Sequence, residues 1–338
     1  MKSTRPTSRD IARLADVSQA TVSRALRNSP LVRPETRERI ESIAQQLSYR
    51  TDRRAAGLRT RRSNTLALLL FEESAEDGQI NPFFLSMLGS ITRASARQGY
   101  DLLISFQQLS KDWQQDYEDS RKADGIILLG YGDYEEYRPR LERLVEQGTH
   151  FVRWGPVLPS EPGVSVGSDN AQGGYDVTRH LLAQGRRRIA FLGHATTHYP
   201  EFFDRYRGHE RALMEARVAT SAALQVDAIT TEDAGFQATR ELQRRGVEFD
   251  AVVAASDLIA IGALRALQES GLDVPRDVSV VGFDDIPAAS HTNPPLTTVV
   301  QDTRRAGDLL VETLLRQIAG DPAANSVIPT RLVVRKSG

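Results

Sequence analysis

From Thr65 onward, short continuous apolar runs alternate with longer amphipathic stretches along most of the chain. Such runs predict strands buried on both faces of a parallel sheet, because a half-exposed strand would alternate apolar and polar residues. The first round of strands is expected at 66–71, 102–105, 125–129 and 151–154, and the second at 164–166, 189–193, 225–229, 251–254 and 278–282. Helices are expected between them, near 85–98, 111–122, 135–147, 171–184, 206–217, 235–245 and 257–270. Two rounds of alternation predict an α/β fold with two doubly wound parallel-sheet subdomains and a ligand at the carboxyl ends of the strands.

The N-terminal part of the chain differs in its charge. Residues 1–62 hold 15 Lys and Arg against six Asp and Glu, a net charge of +9, and the whole chain carries -1, so the remaining residues carry -10. A small basic segment beside a large acidic one indicates a surface that meets a polyanion.

The pattern within this basic head, residues 1–48, predicts three helices. Thr7 and Ser18 are expected to cap the first two, the second running to about residue 28, and Pro34 lies near the start of the third. The apolar positions expected to face inward are Ile11, Leu14, Ala15, Val22, Ala25, Leu26, Ile40, Ile43, Ala44 and Leu47. The outward face of the second helix carries Gln19, Ala20, Ser23, Arg24 and Arg27. Small, amide and guanidinium groups suit a helix in the major groove, so the head is predicted to be a helix-turn-helix; a three-helix packing module without a DNA role is the alternative.

The residues from 10 to 26, DIARLADVSQATVSRAL, resemble the DNA-binding head of the lac repressor (LacI/GalR) family, in a register that continues to Tyr49. The resemblance implies that the second helix contacts operator DNA. The residues assigned to this contact are Ser18, Gln19, Ala20, Thr21, Ser23, Arg24 and Asn28.

Residues 49–63 match the hinge of that family. There the segment becomes a short helix in the minor groove, and a leucine matching Leu58 wedges between base steps, so Leu58 and Arg53 are also assigned to DNA contact. Thr51 and Asp52 stand where a Pro-Asn pair is usual, and Gly57 lies inside the expected helix. We expect this hinge to be disordered until DNA and a partner chain order it.

Residues 64–338 resemble the effector-binding region of the same family, which is itself similar to periplasmic sugar-binding proteins. In the family the chain crosses between subdomains three times, here expected near 160, 296 and 323. The expected N-subdomain is therefore 64–159 plus 297–323, and the expected C-subdomain is 160–296 plus 324–338.

The resemblance also implies an effector pocket between the subdomains. Its expected residues are Asn81, Phe83, Phe84, Arg205, Ser256, Asp284 and Gln301. Ser256 stands where Asn is frequent and Thr230 where an aromatic residue is frequent, and Trp154 is expected to supply the missing ring. A guanidinium, a carboxylate and aromatic rings suit a polyol such as a sugar.

Other classes of protein fit less well. The absence of cysteine excludes disulfides and thiol chemistry, and no apolar run is long enough to span a membrane. The segment 163–167 fits G-x-S-x-G but has the alternation of a strand, and the pair His194 and His198 has metal-ligand spacing without an accompanying Glu. We therefore expect no enzyme, no cofactor and no metal site. No secretory signal follows the first residues, so a cytoplasmic location is expected.

These observations predict a sequence-specific DNA-binding transcriptional regulator. We expect it to act as a repressor that a sugar or sugar derivative controls allosterically. We expect a homodimer on a roughly palindromic operator, and no coiled-coil tetramer, since no heptad tail follows Arg335. The alternatives are a purine or protein co-effector with the same DNA role, a cytoplasmic sugar-binding receptor, and an enzyme with two α/β subdomains.

Overall fold

The computed structural model describes residues 6–26, 28–47, 49, 62–71, 80–130, 132–158 and 161–338. The chain separates into two compact units, residues 1–63 and residues 64–338, and each is described by itself.

The first unit contains three helices, α1 (Ser8–Leu14), α2 (Gln19–Ala25) and α3 (Pro34–Gln46). The backbone N–H and the hydroxyl of Thr7 both donate to the Asp10 carboxylate, at 2.9 and 2.7 Å, so α1 begins where the sequence predicts. The Ser18 hydroxyl accepts a hydrogen bond from the Thr21 N–H at 3.1 Å and caps α2, which also confirms the prediction.

The helices of the head enclose a small apolar core, and two details differ from the sequence prediction. The buried residues of this core are Ile11, Ala12, Ala15, Val22, Ala25, Val32, Ile40 and Ala44. Leu14, which was expected to face inward, is 55% exposed. The other helices pack against the face of α1 that carries Ile11, Ala12 and Ala15, and Leu14 lies outside that face. α2 ends at Ala25, and Asn28 has a left-handed backbone with φ of +54°, so the second helix is shorter than expected.

In the second unit, the first sheet has the strand order β11-β5-β4-β3-β1-β2, and all of its pairings are parallel. Its strands are β1 (Thr65–Leu70), β2 (Asp101–Phe106), β3 (Ile126–Leu129), β4 (Phe151–Trp154), β5 (Val164–Ser168) and β11 (Ser326–Ile328). Its helices are α4 (Pro82–Arg97), α5 (Tyr134–Glu146) and α10 (Thr303–Ala319). One face of the sheet packs against α4 and α10, and the other against α5 and a π-helical turn at Gln114–Asp119, where a regular helix was expected. We call this assembly the first subdomain.

The second sheet has the order β12-β10-β9-β8-β6-β7, and its pairings are parallel except for the edge strand β12. Its strands are β6 (Ile189–Leu192), β7 (Gln225–Val226), β8 (Ala251–Ala254), β9 (Ser279–Asp284), β10 (Thr297–Val300) and β12 (Arg331–Val333). The helices are α6 (Asn170–Ala183), α7 (Pro200–Glu215), α8 (Glu232–Arg244) and α9 (Asp257–Glu269). Helix α6 faces the side of β9 that presents Phe283, and α9 faces the side that presents Gly282, so helices cover both faces. We call this assembly the second subdomain.

The chain passes between the subdomains at places that differ from the expected boundaries. β5 belongs to the first sheet, where Trp154 pairs with Val166, although the sequence pattern placed it in the second round. β10 lies in the second sheet and β11 in the first, so the crossings lie between Ser168 and Asn170, between Val300 and Thr303, and between Ile328 and Arg331. Apolar patterning identifies a buried strand but not the sheet in which it pairs, which accounts for the displaced boundaries.

Helices α6 and α7 cross at very short distance because glycines face the neighbouring backbone. A Cβ atom at Gly174 would lie 2.1 Å from the carbonyl oxygen of Arg205, and one at Gly208 would lie 2.0 Å from the carbonyl oxygen of Ala171. This close approach positions Arg205 on α7 relative to Asn170 at the start of α6.

Gly208→Ala should therefore lower the free energy of unfolding by roughly 1–3 kcal/mol, because the two helix backbones would have to separate. Gly89→Ala on α4 is the matched control, since an added Cβ there meets only Arg93 Nη1 at 3.8 Å. It should raise the free energy of unfolding by up to about 1 kcal/mol through helix propensity. Urea unfolding at one protein concentration measures both, and equal effects of the two substitutions would contradict the packing argument.

Candidate DNA-binding head and effector cleft

The outward face of α2 is open to solvent and carries polar side chains. Ser18, Gln19, Ala20, Arg24 and Asn28 are exposed, and Thr21 and Ser23 are half-buried. The Gln19 amide donates to the Ser8 hydroxyl at 2.8 Å, and the hydroxyls of Ser18 and Thr21 lie 2.9 Å apart. Of the described residues that the sequence assigned to DNA contact, Gln19, Ala20 and Arg24 are thus exposed on α2, whereas Ser18 caps the helix and Asn28 lies beyond its end. Arg53 and Leu58, and most of the expected hinge, lie outside the described residues.

The aromatic part of the predicted pocket forms a cluster in the first subdomain. The Asn81 side chain caps α4 by accepting the Phe83 N–H at 2.9 Å, and this directs the first turn of the helix. The Phe83 ring centroid lies 5.5 Å from that of Phe84 and 6.0 Å from that of Trp154, at the end of β4. Phe83 and Trp154 are buried, and Phe84 is half-buried. Trp154, which was expected to supply the ring missing at Thr230, is thus buried against Phe83 within this cluster.

Arg205 lies within α7, where the structure holds its guanidinium group in a fixed orientation. Its Nε donates to Asn170 Oδ1 at 2.8 Å, and its Nη1 donates to the Ala255 carbonyl oxygen. The guanidinium carbon lies 3.8 Å from the centroid of the Phe283 ring, which is close enough for a cation–π contact. Nη1 also lies 3.8 Å from Asp284 Oδ1, and both side chains are buried. The guanidinium is thus oriented by contacts within the second subdomain.

Asp284 ends β9 in an unusual backbone conformation, with φ of +116°. A non-glycine residue in this region carries a strain of about 1–3 kcal/mol, which is common at binding sites. The Gln301 amide donates to Asp284 Oδ1 at 2.6 Å, and Gln301 follows β10 at a crossing between the subdomains. Burial raises the pKa of Asp284 to about 6, although Arg205 and Gln301 act to lower it.

The structure also reveals polar residues that the sequence reasoning did not assign to the site. Asn170 holds Arg205, and Asp257 accepts hydrogen bonds from Thr298 Oγ1 at 2.5 Å and from the Ile286 N–H at 2.8 Å. Burial, together with the nearby Asp284, raises the pKa of Asp257 well above its ordinary value. Asn170 lies two residues after the end of β5 and Asp257 three residues after the end of β8, and a position so close to a strand end could have identified them. Ser256, which was assigned, is buried and caps α9 through the Ile259 N–H at 3.4 Å.

A cavity of about 90 Å³ lies between the subdomains, and of the predicted pocket residues Phe83, Asp284 and Gln301 line it, whereas Asn81, Phe84, Trp154, Arg205 and Ser256 do not. Its lining consists of Phe83, Ser86, Asp284, Asp285, Ile286, Val300, Gln301 and Thr303. The lining comes from both subdomains, so a ligand held here would touch both. The cavity is smaller than the roughly 300 Å³ at the lower end of ligand pockets, and the cleft in this arrangement is closed.

The two histidines with metal-ligand spacing face different partners. His194 Nδ1 lies 3.6 Å from Asp227 and its ring stacks on Tyr199, whereas His198 Nδ1 lies 2.6 Å from Asp133 of the first subdomain. Within the described ranges, no group of three or more potential ligands could hold a metal ion. Among the helices that the structure describes, none has the length and apolar character to cross a membrane.

A helix-turn-helix head and a two-lobed α/β body with its cleft at the carboxyl ends of the strands define a ligand-responsive DNA-binding protein. Comparison with known families agrees with this class. Residues 7–52 match the bacterial regulatory proteins of the lacI family, and residues 178–338 match the periplasmic binding protein-like domain.

Individual relatives match almost the whole chain. The HTH-type transcriptional regulator CelR of Thermobifida fusca is 34% identical over 99% of this chain and 98% of its own length. The HTH-type transcriptional repressor PurR of Vibrio atlanticus is 30% identical over 92% of each chain.

Solved structures give the same result. A CelR–cellobiose complex has a TM-score of 0.74 at 32% identity, covering 99% of this chain and 100% of the other. A lac repressor dimer bound to operator and the anti-inducer ONPF has a TM-score of 0.83 at 26% identity, covering 99% of each chain. The chain belongs to the LacI family and is a DNA-binding transcriptional regulator, which confirms the family and the function predicted from the sequence.

The raised pKa of Asp284 predicts a pH dependence of stability. The folded protein binds a proton on the Asp284 carboxyl group more tightly than the unfolded chain does. This protonation therefore adds to the free energy of unfolding in full below about pH 4, and the added stability is lost as the pH rises through about 6. Asp284→Asn removes this contribution. The free energy of unfolding of the parent, minus that of the variant, should therefore fall with a slope of up to about 1.4 kcal/mol per pH unit. Urea unfolding between pH 4 and 7 measures the difference, and a flat or rising difference would contradict the assignment.

Proposed function

We propose that this regulator is a repressor that binds operator DNA through α2 and responds to a sugar in the cleft between its subdomains. The observation that carries the proposal is the oriented set of Arg205, Asp284 and Gln301 beside an aromatic cluster from the opposite subdomain. A guanidinium, a carboxylate and an amide form directional hydrogen bonds with hydroxyl groups, and aromatic rings cover the apolar face of a sugar.

The residues proposed for DNA contact are Ser18, Gln19, Ala20, Thr21, Ser23, Arg24 and Asn28, together with Arg53 and Leu58 of the hinge. Support comes from the exposed face of α2, where small side chains allow a close approach to the groove. Gln19 presents one donor and one acceptor to a base edge, and Arg24 presents paired donors. We further propose a homodimer on an inverted-repeat operator, since a single head of this size makes few contacts and two-fold symmetry doubles them. The related lac repressor structure is a dimer bound to operator.

Arg24→Ala should reduce discrimination at one base pair of each half-site by roughly 1–3 kcal/mol, because a guanidinium contributes paired donors to a base edge. Arg39→Ala is the control, since Arg39 is exposed on α3 and is not among the residues proposed for DNA contact. It should leave the base preference unchanged. Binding of the full chain to arrays of DNA sequences measures both, and an unaltered preference profile for Arg24→Ala would overturn the docking of α2.

The effector proposed is a neutral sugar or sugar derivative. The related CelR structure is a complex with cellobiose, which supports a saccharide, and the hydrogen-bonding groups of this cleft suit hydroxyls. The protein is proposed to act in the cytoplasm. It is also proposed to act without catalysis, cofactor or metal, since the side chains described at the cleft suit hydroxyls and do not pair a nucleophile with a base.

Control of DNA binding requires that the effector prefer one arrangement of the subdomains over another. Phe83 and Ser86 from the first subdomain and Asp284 and Ile286 from the second face the same cavity, so a ligand there contacts both. This placement allows a difference in affinity between arrangements, which is the physical basis proposed for allosteric control.

Calorimetry against cellobiose, monosaccharides, sugar phosphates and purines should identify a saccharide ligand. Arg205→Lys and Asp284→Asn should each weaken its binding roughly tenfold or more, since each loses a charge-assisted or bidentate hydrogen bond. The control, Asp227→Asn, alters an exposed carboxylate elsewhere in the second subdomain and should bind as the parent does. If a compound that releases the operator binds Arg205→Lys and Asp284→Asn as tightly as the parent, the pocket assignment fails. A purine as the sole ligand would replace the sugar proposal.

A further inference from the structure

The two subdomains touch directly at a second place, where the N-terminus of α5 meets the segment between β6 and α7. The Tyr134 N–H of the first subdomain donates to the carbonyl oxygen of His198 in the second, at 2.8 Å. The His198 ring Nδ1 lies 2.6 Å from Asp133 Oδ2. One residue of the second subdomain thus makes both a main-chain and a side-chain hydrogen bond across the cleft.

Local structure positions both partners. Asp133 is the N-cap of α5, and its other carboxylate oxygen accepts the Glu135 N–H at 2.9 Å. His198 lies in a turn closed by the hydrogen bond from the Tyr199 N–H to the Thr196 carbonyl oxygen at 3.1 Å, just before α7 begins. Each partner is anchored to its own subdomain, so the contact can form only when the subdomains lie at this separation.

Two carboxyl groups of different subdomains, Glu161 and Glu201, also interact electrostatically. Arg153 of β4 is buried and donates to Glu161 Oε2 at 2.7 Å. Burial, together with the nearby carboxylate of Glu201 on α7, raises the pKa of Glu161 to about 7. Since Glu161 and Glu201 belong to different subdomains, their interaction favours separation, and the contacts of His198 act against it.

The closed cleft leaves little room for a sugar. Asp284 and Gln301 are hydrogen-bonded to each other, the side chains of Phe83 and Trp154 are buried, and the cavity beside them has a volume of only about 90 Å³. A saccharide that touches both subdomains therefore needs a wider separation than this one. Any contact present only in the closed arrangement lowers the affinity for such a ligand.

We propose that Asp133 and His198 form a latch that holds the subdomains closed and thereby opposes entry of the effector. They are positioning residues, which act through the separation of the subdomains and not through contact with the ligand. The latch itself is a property of the free protein; its effect on the effector rests on the proposed function.

The separation of the subdomains tests the latch without any ligand. The chain contains no cysteine, so Glu146→Cys on α5 and Met214→Cys on α7 provide two unique spin-label sites at exposed positions. Double electron–electron resonance on the full chain, mixed with an excess of unlabelled chain so that most dimers carry one labelled protomer, should give a single short distance in this labelled parent. His198→Ala and Asp133→Asn should each add a longer-distance population, and Asn keeps the capping ability of Asp133 while its charge is removed.

His180→Ala is the matched control, because the His180 ring is hydrogen-bonded to Gln184 at the end of its own helix, α6. It should leave the distance distribution as in the labelled parent. Melting temperatures measured alongside identify a variant that has merely lost its fold. An unchanged distribution in both His198→Ala and Asp133→Asn, or an equal shift in His180→Ala, would overturn the latch.

Calorimetry with cellobiose as the probe tests the consequence. His198→Ala should bind cellobiose roughly two- to fivefold more tightly than the parent, the range expected for loss of a partly exposed ion pair. The double variant with Asp133→Asn should gain little more, since both substitutions break one contact. Equal cellobiose affinity in parent and variants would overturn the effect on the effector. No binding of cellobiose by any variant would count against the proposed saccharide and leave the latch to be decided by the distances.

Discussion

Three short crossings join the two sheets, and each leaves a strand at its carboxyl end. The first follows Ser168 of β5, the second Val300 of β10 and the third Ile328 of β11. In each sheet the strands are parallel except for the edge strand β12, so their carboxyl ends lie along one edge. Because every crossing leaves a strand at that edge, the loops at the carboxyl ends of both sheets lie around one cleft. Phe83 from the first subdomain and Asp284 from the second face the same cavity for that reason. The crossings are therefore the constraint on which the composition of the site depends.

Buried charge is concentrated at this cleft, and its arrangement has an energetic cost. Arg205 and Asp284 are both buried and lie 3.8 Å apart, beyond the distance of a direct hydrogen bond, while Asp257 adds a second carboxyl group nearby. A buried ion pair of this kind gives little net stability compared with apolar residues of the same size, because desolvation offsets the attraction. Contacts with Asn170 and with the ring of Phe283 keep the guanidinium oriented. A group held in this way is prepared to bind a polar ligand, and the strained backbone of Asp284 is consistent with that role.

The subdomains meet at two places with different chemistry. Gln301 and Asp284 line the cavity together with Phe83, whereas His198 meets the N-terminus of α5. A ligand in the cavity and a latch that does not contact it influence each other through the separation of the subdomains. The coupling is reciprocal, since a contact that lowers the affinity for the ligand is itself weakened by the ligand to the same extent.

The sequence by itself determined the features that depend on neighbours along the chain. The capping of α1 by Thr7 and of α2 by Ser18, the strands recognised as apolar runs and the family recognised in residues 10–26 all follow from local residue order. The resemblance also assigned Arg205 and Asp284 to one pocket, and the structure brings these two side chains within 3.8 Å of each other. The tertiary structure alone decided the pairing of β5 with β4, the exposure of Leu14, and the contacts of Asn170 and His198. The physical reason is that capping and burial patterns are short-range properties, whereas the partner of a strand edge or of a polar side chain is set by segments distant in sequence that meet only in the folded protein.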